Sequence, residues 1–287
     1  MARDQDPSRL TEGVQQYPGS TGSMDPEPQD EMRRYTGRGL LAGRRSLVTG
    51  GDSGIGRAVA VAFAKEGADV AIAYLDEHED AGHTAKLVES EGRRAVLIPG
   101  DLSGREACDQ AVSKTVAELG GLDLLVNNVA FQAPADSLEE ISDEQLERTF
   151  RTNIFSYVWV TRAALRHMPE GSSIVNTGSV NGLRGNKSLI DYATTKGAVH
   201  TFTYSMAQAL ASRRIRINCV APGPVWTPLI PATMPEDKVQ TFGEQTPFGR
   251  PAQPDEIAPS YVFFASELSS YSTGEVLGAL GGETHPG

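Results

Sequence analysis

Seven short apolar runs follow one another along the chain from residue 45 onward, separated by stretches of mixed polarity. Each run is apolar at consecutive positions rather than at alternate ones, which is typical of strands buried on both faces of a parallel sheet. In chain order the runs are RSLVTG, DVAIAY, RAVLIP, LDLLVNN, SIVNTG, IRINCVAPG and EVLGAL.

Stretches with helical periodicity lie between most of these runs, at 54–66, 77–91, 103–119, 143–168 and 192–212. Strands that alternate with helices of this length predict right-handed βαβ crossovers. The fold class expected is therefore α/β, a single Rossmann-like doubly wound parallel sheet of about seven strands with helices on both faces.

Two segments break this alternation. Residues 1–42 are rich in Pro, Gly, Gln, Asp and Ser without apolar periodicity, and they predict an irregular N-terminal arm that precedes a catalytic domain over 43–287. The arm has no apolar pattern to form a core of its own, so we expect it to wrap over its own domain or over a neighbouring subunit. Residues 222–254 are rich in Pro and Thr and too long for an ordinary connection, which predicts a lid over a site.

Composition narrows the functional class. The formal net charge of −11 and the lack of Lys/Arg clusters disfavour nucleic acid as a partner. No run has the length of a membrane span and the N-terminus has no apolar signal region, so a cytoplasmic protein with no membrane partner is expected. The two cysteines and five histidines show no metal-ligand spacing, and no metal is predicted.

Glycines cluster where the first strand leads into the first helix, in the segment TGGDSGIG from Thr49 to Gly56. The N-terminus of a helix presents unpaired N–H groups, and glycines let a pyrophosphate approach the backbone closely. The turn therefore predicts a bound dinucleotide, with a tight turn that binds nothing as the alternative.

Further polar groups follow the carboxyl ends of later strands, the edge at which open α/β sheets bind ligands. These are Asp101, Asn127, Ser179 and Pro222-Gly223. Tyr192 and Lys196 lie four residues apart on a predicted helix, so their side chains share one face and can act on one ligand.

The motifs together resemble the short-chain dehydrogenase/reductase family over about residues 43–282. They are TGxxxGIG at the turn, GDL with Asp101, the Asn127-Asn128 pair, Asn153 in TN, Ser179 in GS, Tyr192 and Lys196 in YATTK, and PGPVWTP after the sixth strand. The arm and the TGGDSGIG variant resemble a branch of bacterial general-stress and aldehyde-reductase-like oxidoreductases.

The resemblance implies an NAD(P)-dependent oxidoreductase that acts on a small alcohol or carbonyl compound, such as a sugar, polyol, aldehyde or ketone. It implies the catalytic residues Asn153, Ser179, Tyr192 and Lys196. The cofactor-binding residues that it implies are Gly50, Asp52, Ser53, Gly54, Ile55, Gly56, Tyr74, Asp101, Leu102, Asn128, Tyr192, Lys196, Pro222, Gly223 and Val225. A nucleotide-binding sensor or scaffold protein with this fold but without turnover is the alternative.

In the implied chemistry Tyr192 is the general acid/base, because the Lys196 ammonium and an oxidised nicotinamide favour the phenolate. Family members place a serine on the substrate oxygen, an asparagine in a water relay and the lysine on the ribose hydroxyls. Their usual N-N-A-G is replaced here by Asn127-Asn128-Val129-Ala130, which places a methyl group where the family glycine lets the backbone run close to the cofactor and the central helix.

The choice between NAD and NADP depends on the end of the second strand. Tyr74 stands at the usual acidic position and Leu75 follows it, so the standard markers of both cofactors are missing. Asp76 and Glu77 would repel a 2′-phosphate if they turned inward, and Arg57 is expected on the helix surface, so NAD is favoured. Family members commonly pack the helices at 143–168 and 192–212 across a two-fold axis, which implies a homotetramer.

Overall fold

A seven-stranded parallel sheet forms the centre of the protein, whose computed structural model describes residues 15–284. The strands lie in the order β3-β2-β1-β4-β5-β6-β7, and every neighbouring pair is parallel. The predicted doubly wound sheet is thus confirmed. The strands are β1 Arg45–Thr49, β2 Asp69–Tyr74, β3 Ala95–Pro99, β4 Leu124–Asn127, β5 Ser173–Thr177, β6 Arg216–Pro222 and β7 Val276–Ala279.

Helices cover both faces of the sheet. They are α1 Gly54–Lys65, α2 His78–Ser90, α3 Arg105–Leu119, α4 Asp143–Phe150, α5 Ser156–Ala164, α6 Val180–Arg184, α7 Ile190–Leu210, α8 Leu229–Thr233, α9 Glu236–Gln240 and α10 Pro254–Ala265. Alternate strand residues face opposite sides, so that Val48 packs into the core under α1, α2 and α10, and Leu47 into the core under α3, α5 and α7. Burial on both sides explains why the strands read as continuous apolar runs.

The sheet reverses its strand order beside β1, which lies between β2 and β4. The chain proceeds from β1 towards β3 and then crosses back to β4 on the other side. Crossovers that leave β1 and β4 in opposite directions open a crevice at the carboxyl edge, which is where such sheets bind ligands.

The predicted helix at 143–168 is interrupted and ends earlier than expected. A π-helical segment, Arg151–Phe155, separates α4 from α5, and α5 ends at Ala164. Asn153 lies at the middle of this segment. π-segments inside helices are frequent at functional sites because the extra residue redirects nearby side chains.

The segment at 222–254, predicted as a lid, contains two short helices, α8 and α9, and leads directly into α10, which the periodicity analysis did not identify. The start of α10 nevertheless carries sequence signals. Pro254 occupies its first turn, and the Gln253 and Glu256 side chains form a reciprocal capping box.

The described part of the arm, residues 15–42, packs against its own domain. It includes a short 3₁₀ turn at Thr21–Ser23, and it buries Met24, Met32 and Leu41. Met32 and Leu41 join the core on the α1 side of the sheet, whereas Met24 packs against Trp226 in the lid segment. Of the two arrangements expected for the arm, the structure thus shows the one within the same chain.

Candidate active site

A cavity of about 950 Å³ lies at the carboxyl edge of the sheet, where the strand order reverses. Three of the residues predicted for the site or for the ligand-binding edge, Gly56, Asn127 and Asn153, do not line this cavity. Its walls contain all the others, which are Gly50, Asp52, Ser53, Gly54, Ile55, Tyr74, Asp101, Leu102, Asn128, Ser179, Tyr192, Lys196, Pro222, Gly223 and Val225.

The glycine turn closes tightly between β1 and α1. Gly50 and Gly54 have φ angles of +62° and +52°, a region that glycine occupies without strain. A Cβ on Gly56 would lie 1.8 Å from the carbonyl oxygen of Gly50, so this glycine serves the packing of the helix against the turn. Ser53 does not cap α1, since its hydroxyl bonds to the Asp52 carboxylate at 3.0 Å.

Arg57 is buried, which contradicts the prediction of a helix-surface residue. Its side chain is 2% exposed and forms ion pairs with Asp30 at 3.2 Å and Asp80 at 2.6 Å. Its Nε also donates to the carbonyl of Asp52 at 3.0 Å. The prediction was wrong because Asp30 belongs to the arm, and the sequence pattern did not place the arm against α1.

Asp30 itself reaches the glycine turn. One of its carboxylate oxygens accepts a hydrogen bond from the Gly54 amide at 3.1 Å, at the N-terminus of α1. Burial raises the pKa of Asp30 to about 6, although Arg57 and the Gly54 N–H act in the opposite direction. The arm therefore supplies a carboxylate to the helix end beside the predicted pyrophosphate position.

Tyr74 and Asp101 lie at the end of the cavity formed by the β2 and β3 edges. The Tyr74 hydroxyl and His78 Nδ1 are 2.9 Å apart, and Asp101 accepts a hydrogen bond from the Ser103 amide at 2.9 Å. Leu75 lines the cavity, whereas Asp76 and Glu77 do not. The two carboxylates that were expected to repel a 2′-phosphate are therefore outside its walls.

Asn128 holds the glycine turn in place. Its amide group donates to the carbonyl oxygens of Gly50 at 3.0 Å and Thr49 at 3.2 Å, and its backbone N–H donates to the Thr49 hydroxyl at 2.9 Å. A Cβ on Gly50 would lie 3.2 Å from the Cα of Val129. Gly50 therefore lies directly against the backbone of Val129.

Lys196 and Tyr192 are both buried and lie side by side at the other end of the cavity. The Lys196 ammonium donates to the carbonyl of Thr177 at 2.8 Å and lies 5.5 Å from the centres of the Tyr192 and Tyr157 rings. Burial lowers the pKa of Lys196 to about 8 and raises that of Tyr192 to about 12, the latter opposed by a hydrogen bond to Ser179. The structure thus places three of the predicted catalytic residues, Ser179, Tyr192 and Lys196, next to one another in the cavity.

Asn153 is fully buried behind the cavity wall. Its amide oxygen accepts from the Phe131 N–H at 2.7 Å, and its Nδ2 donates to the Phe131 carbonyl at 2.8 Å and to Thr195 at 3.1 Å. These bonds connect the π-segment to the loop after β4 and to α7. The side chain thus supports the surrounding loop, and its expected part in a water relay stays a prediction.

Several residues at the cavity were missed by sequence reasoning. Tyr17 from the arm and Arg148 from α4 both line it, and the Arg148 guanidinium lies over the rings of Tyr17 and Phe131 at 4.8 and 4.2 Å. Tyr157 lies behind the cavity wall, with its hydroxyl 3.5 Å from the Lys196 ammonium, and it follows Asn153 by four residues. That spacing, one helical turn, was the available signal for Tyr157, and the Tyr-Pro pair in a polar segment was the signal for Tyr17.

Between residues 15 and 284, no three His, Cys, Asp or Glu side chains are grouped in a way that could hold a metal ion. Within the same range, no helix combines the length and apolarity that crossing a bilayer requires.

Comparison with known proteins shows consistent similarity. A family model described as enoyl-(acyl carrier protein) reductase matches residues 50–284. General stress protein 39 of Bacillus subtilis is 55% identical over 265 residues, which is 92% of this chain and 93% of that protein. NADPH-dependent aldehyde reductase 1, chloroplastic, of Arabidopsis thaliana is 49% identical over 272 residues, 92% of this chain and 94% of that protein.

A solved structure has the same fold. A short-chain dehydrogenase from Burkholderia cenocepacia in complex with NADP superposes with a TM-score of 0.79 and 33% identity, and the match covers 85% of this chain and 98% of that one.

Proposed function

The chain belongs to the short-chain dehydrogenase/reductase family, and we propose that it interconverts a small carbonyl compound and its alcohol with Tyr192 as the general acid/base. Membership makes it an NAD(P)-dependent oxidoreductase. The observation that supports the residue roles best is the grouping of Ser179, Tyr192 and Lys196 in the same cavity as the glycine turn. A scaffold without turnover does not require that grouping.

The cavity suits a nicotinamide dinucleotide. Gly50 and Gly54 line it, and α1 begins at this turn, so the positive end of its helix dipole favours a pyrophosphate there. Asp101 and Lys196 line opposite ends of the cavity, where they would hold the adenosine half and the nicotinamide-ribose half of the dinucleotide. The bound nicotinamide would supply or accept the hydride.

In the reducing direction, the Tyr192 hydroxyl would donate its proton to the carbonyl oxygen of the substrate while Ser179 donates a hydrogen bond to the same oxygen. Lys196 would stabilise the resulting phenolate, because its ammonium lies over the Tyr192 ring. The high pKa of Tyr192 keeps the group protonated and ready to donate. In the oxidising direction the same proton would return to Tyr192.

The experiment that tests these roles is Tyr192→Phe, which removes the transferable proton and keeps the ring. We expect turnover to fall by at least about a hundredfold, the usual scale of general acid/base catalysis, with cofactor binding retained. Tyr271→Phe is the matched control, because Tyr271 is fully exposed and absent from the cavity walls. Turnover by Tyr192→Phe within threefold of the control would overturn the assignment.

For the cofactor, we propose NADP(H) in preference to NAD(H), against the preference that the sequence favoured. Two observations support this choice. The Arabidopsis relative is named as NADPH-dependent and the Burkholderia structure is a complex with NADP, and Asp76 and Glu77 lie outside the cavity walls. We expect kcat/KM for NADPH to exceed that for NADH at least tenfold, which corresponds to about 1.4 kcal/mol. A ratio below one would contradict the proposal.

For the substrate, we propose a small aldehyde, in keeping with the name of the Arabidopsis relative. Polar groups in the walls beside the Tyr192 end, among them Gln132, Asn181 and Asn186, favour a substrate that also carries hydroxyl groups. Aldehydes, sugars, polyols and ketones compared by nicotinamide absorbance would test this. Faster turnover of plain ketones than of every aldehyde would contradict it.

We also propose a homotetramer. Leu146 and Phe155 are 41% and 42% exposed on the α4–α5 segment, and Tyr204 is 45% exposed on α7. These are the helices that family members commonly pack across a two-fold axis. A monomer by light scattering at micromolar concentration would reject the assembly. The cytoplasmic location stays a prediction.

A further inference from the structure

The N-terminal arm crosses the cavity that we assign to the cofactor. The backbone N–H of Gln15 donates to the carbonyl of Pro231 in α8 at 2.9 Å, and the backbone N–H of Thr21 donates to the Asp80 carboxylate of α2 at 2.9 Å. α8 follows β6 and α2 follows β2, two strands that lie on opposite sides of β1 in the sheet. Of the residues between Gln15 and Thr21, Tyr17 and Pro18 line the cavity.

Tyr17 fastens the crossing segment to the sheet. Its hydroxyl donates to the carbonyl of Ala130, after β4, at 3.0 Å. Its ring meets Phe131 edge to face with centroids 5.1 Å apart, and Arg148 covers both rings. Burial raises the pKa of Tyr17 to about 12, so the hydroxyl stays a donor throughout the physiological range.

The arm also holds the lid segment. Met24 packs with Trp226, Ile230 and Val239, and the indole N–H of Trp226 donates to the carbonyl of Pro26 at 2.8 Å. Gly19 lies so close to α8 that a Cβ would stand 2.6 Å from the carbonyl oxygen of Pro228. The arm and the lid therefore form one packed layer over the cavity.

We propose that residues 15–21 are a strap across the cofactor cavity, with Tyr17 as its latch, and that nicotinamide dinucleotides enter and leave only when the latch opens. The inference rests on the cofactor site proposed above. A gate of this kind slows entry and release by the same factor, since both pass through the open state, and leaves the equilibrium affinity almost unchanged. By contrast, removing a side chain that only contacts the bound cofactor changes the dissociation rate constant and leaves the association rate constant unchanged.

The test is stopped-flow fluorescence of NADPH with the full-length chain and its Tyr17→Ala variant. We expect the association and dissociation rate constants both to rise about tenfold, because one hydrogen bond and one aromatic pair are lost from the closed state. The dissociation constant should stay within about threefold. Tyr271→Ala, which alters a fully exposed tyrosine, is the matched control.

Tyr17→Phe keeps the ring contacts and removes only the bond to Ala130, so both rate constants should rise by a smaller common factor. It also serves if the alanine variant folds poorly. Faster dissociation with unchanged association would overturn the strap and leave Tyr17 as a simple contact, and unchanged rates would overturn both roles. A wild-type protein that binds neither NADPH nor NADH would overturn the proposed function itself.

Discussion

Replacing Arg57 by Met tests whether the buried ion-pair cluster joins the arm to the nucleotide turn. The Arg57 side chain is 2% exposed, and the carboxylates that it pairs with, Asp30 and Asp80, are 2% and 9% exposed. Methionine fills much of the same space without the charge. Both carboxylates are then left in an environment from which most of the water is excluded.

The expected loss of stability is large. Removing one partner of a buried ion pair costs about 3–5 kcal/mol, because the remaining charge is uncompensated. For a chain of this size each kcal/mol corresponds to roughly 2–4 °C in Tm, so we expect a decrease on the order of 10 °C at pH 7. The exposed pair of Arg214 and Glu170, at 77% and 65% exposure, provides the control, since Arg214→Met should cost at most about 1 kcal/mol.

The pH dependence makes the test more specific. The pKa of Asp30 is raised to about 6, so this carboxyl is ionised in the folded protein above that pH and protonated below it. Without Arg57 the pKa of Asp30 rises further, because the guanidinium is one of the groups that hold it down. The uncompensated charge of Asp30 therefore costs the variant stability at neutral pH, and this part of the cost is relieved as the pH falls. Adding Asp30→Asn to the variant should recover part of the loss at pH 7.

Thermal and urea unfolding at pH 5 and pH 7 measure both effects. A loss at pH 7 no larger than that of Arg214→Met would refute the reasoning, because it would mean that Asp30 and Asp80 do not depend on Arg57. A loss that grows as the pH falls from 7 to 5 would refute the assignment of the charge to Asp30.

Two further results are expected. Gly56→Ala should abolish dinucleotide binding or folding, because its Cβ would lie 1.8 Å from the Gly50 carbonyl oxygen. The control, Gly82→Ala, lies on α2 with open space around its Cβ and should raise the free energy of unfolding by about 0.5–1 kcal/mol. A soluble Gly56→Ala variant with normal NADPH affinity and Tm would contradict the expectation. Burial lowers the Lys196 pKa from 10.5 to about 8, so between pH 8 and 10 the unfolded chain holds this proton and the folded chain does not. Without added cofactor, the free energy of unfolding of the wild type relative to Lys196→Met should therefore rise over this range. A difference in urea unfolding free energy that does not change with pH would contradict this.

Much of the fold and of the site was predictable from local sequence. The buried strands appear as apolar runs because parallel strands such as β1 and β4 have no solvent face. The ends of those strands carry the polar residues of the site, so the order of the motifs already placed Asp101, Ser179 and Tyr192 near one edge. These features depend either on residues close together in the chain or on the sheet topology, for which the rules of chain connection leave few alternatives.

The tertiary structure decided the features that depend on contacts between distant segments. The burial of Arg57 follows from Asp30, which is 27 residues away in an arm without periodicity, and the burial of Asn153 behind the cavity wall follows from its bonds to Phe131 and Thr195. No local pattern encodes such contacts, because the arm gains its order only by packing on surfaces that the folded domain supplies. The sequence therefore determined the sheet and the edge at which most of the predicted site residues line one cavity, and long-range packing determined that the arm lies against them.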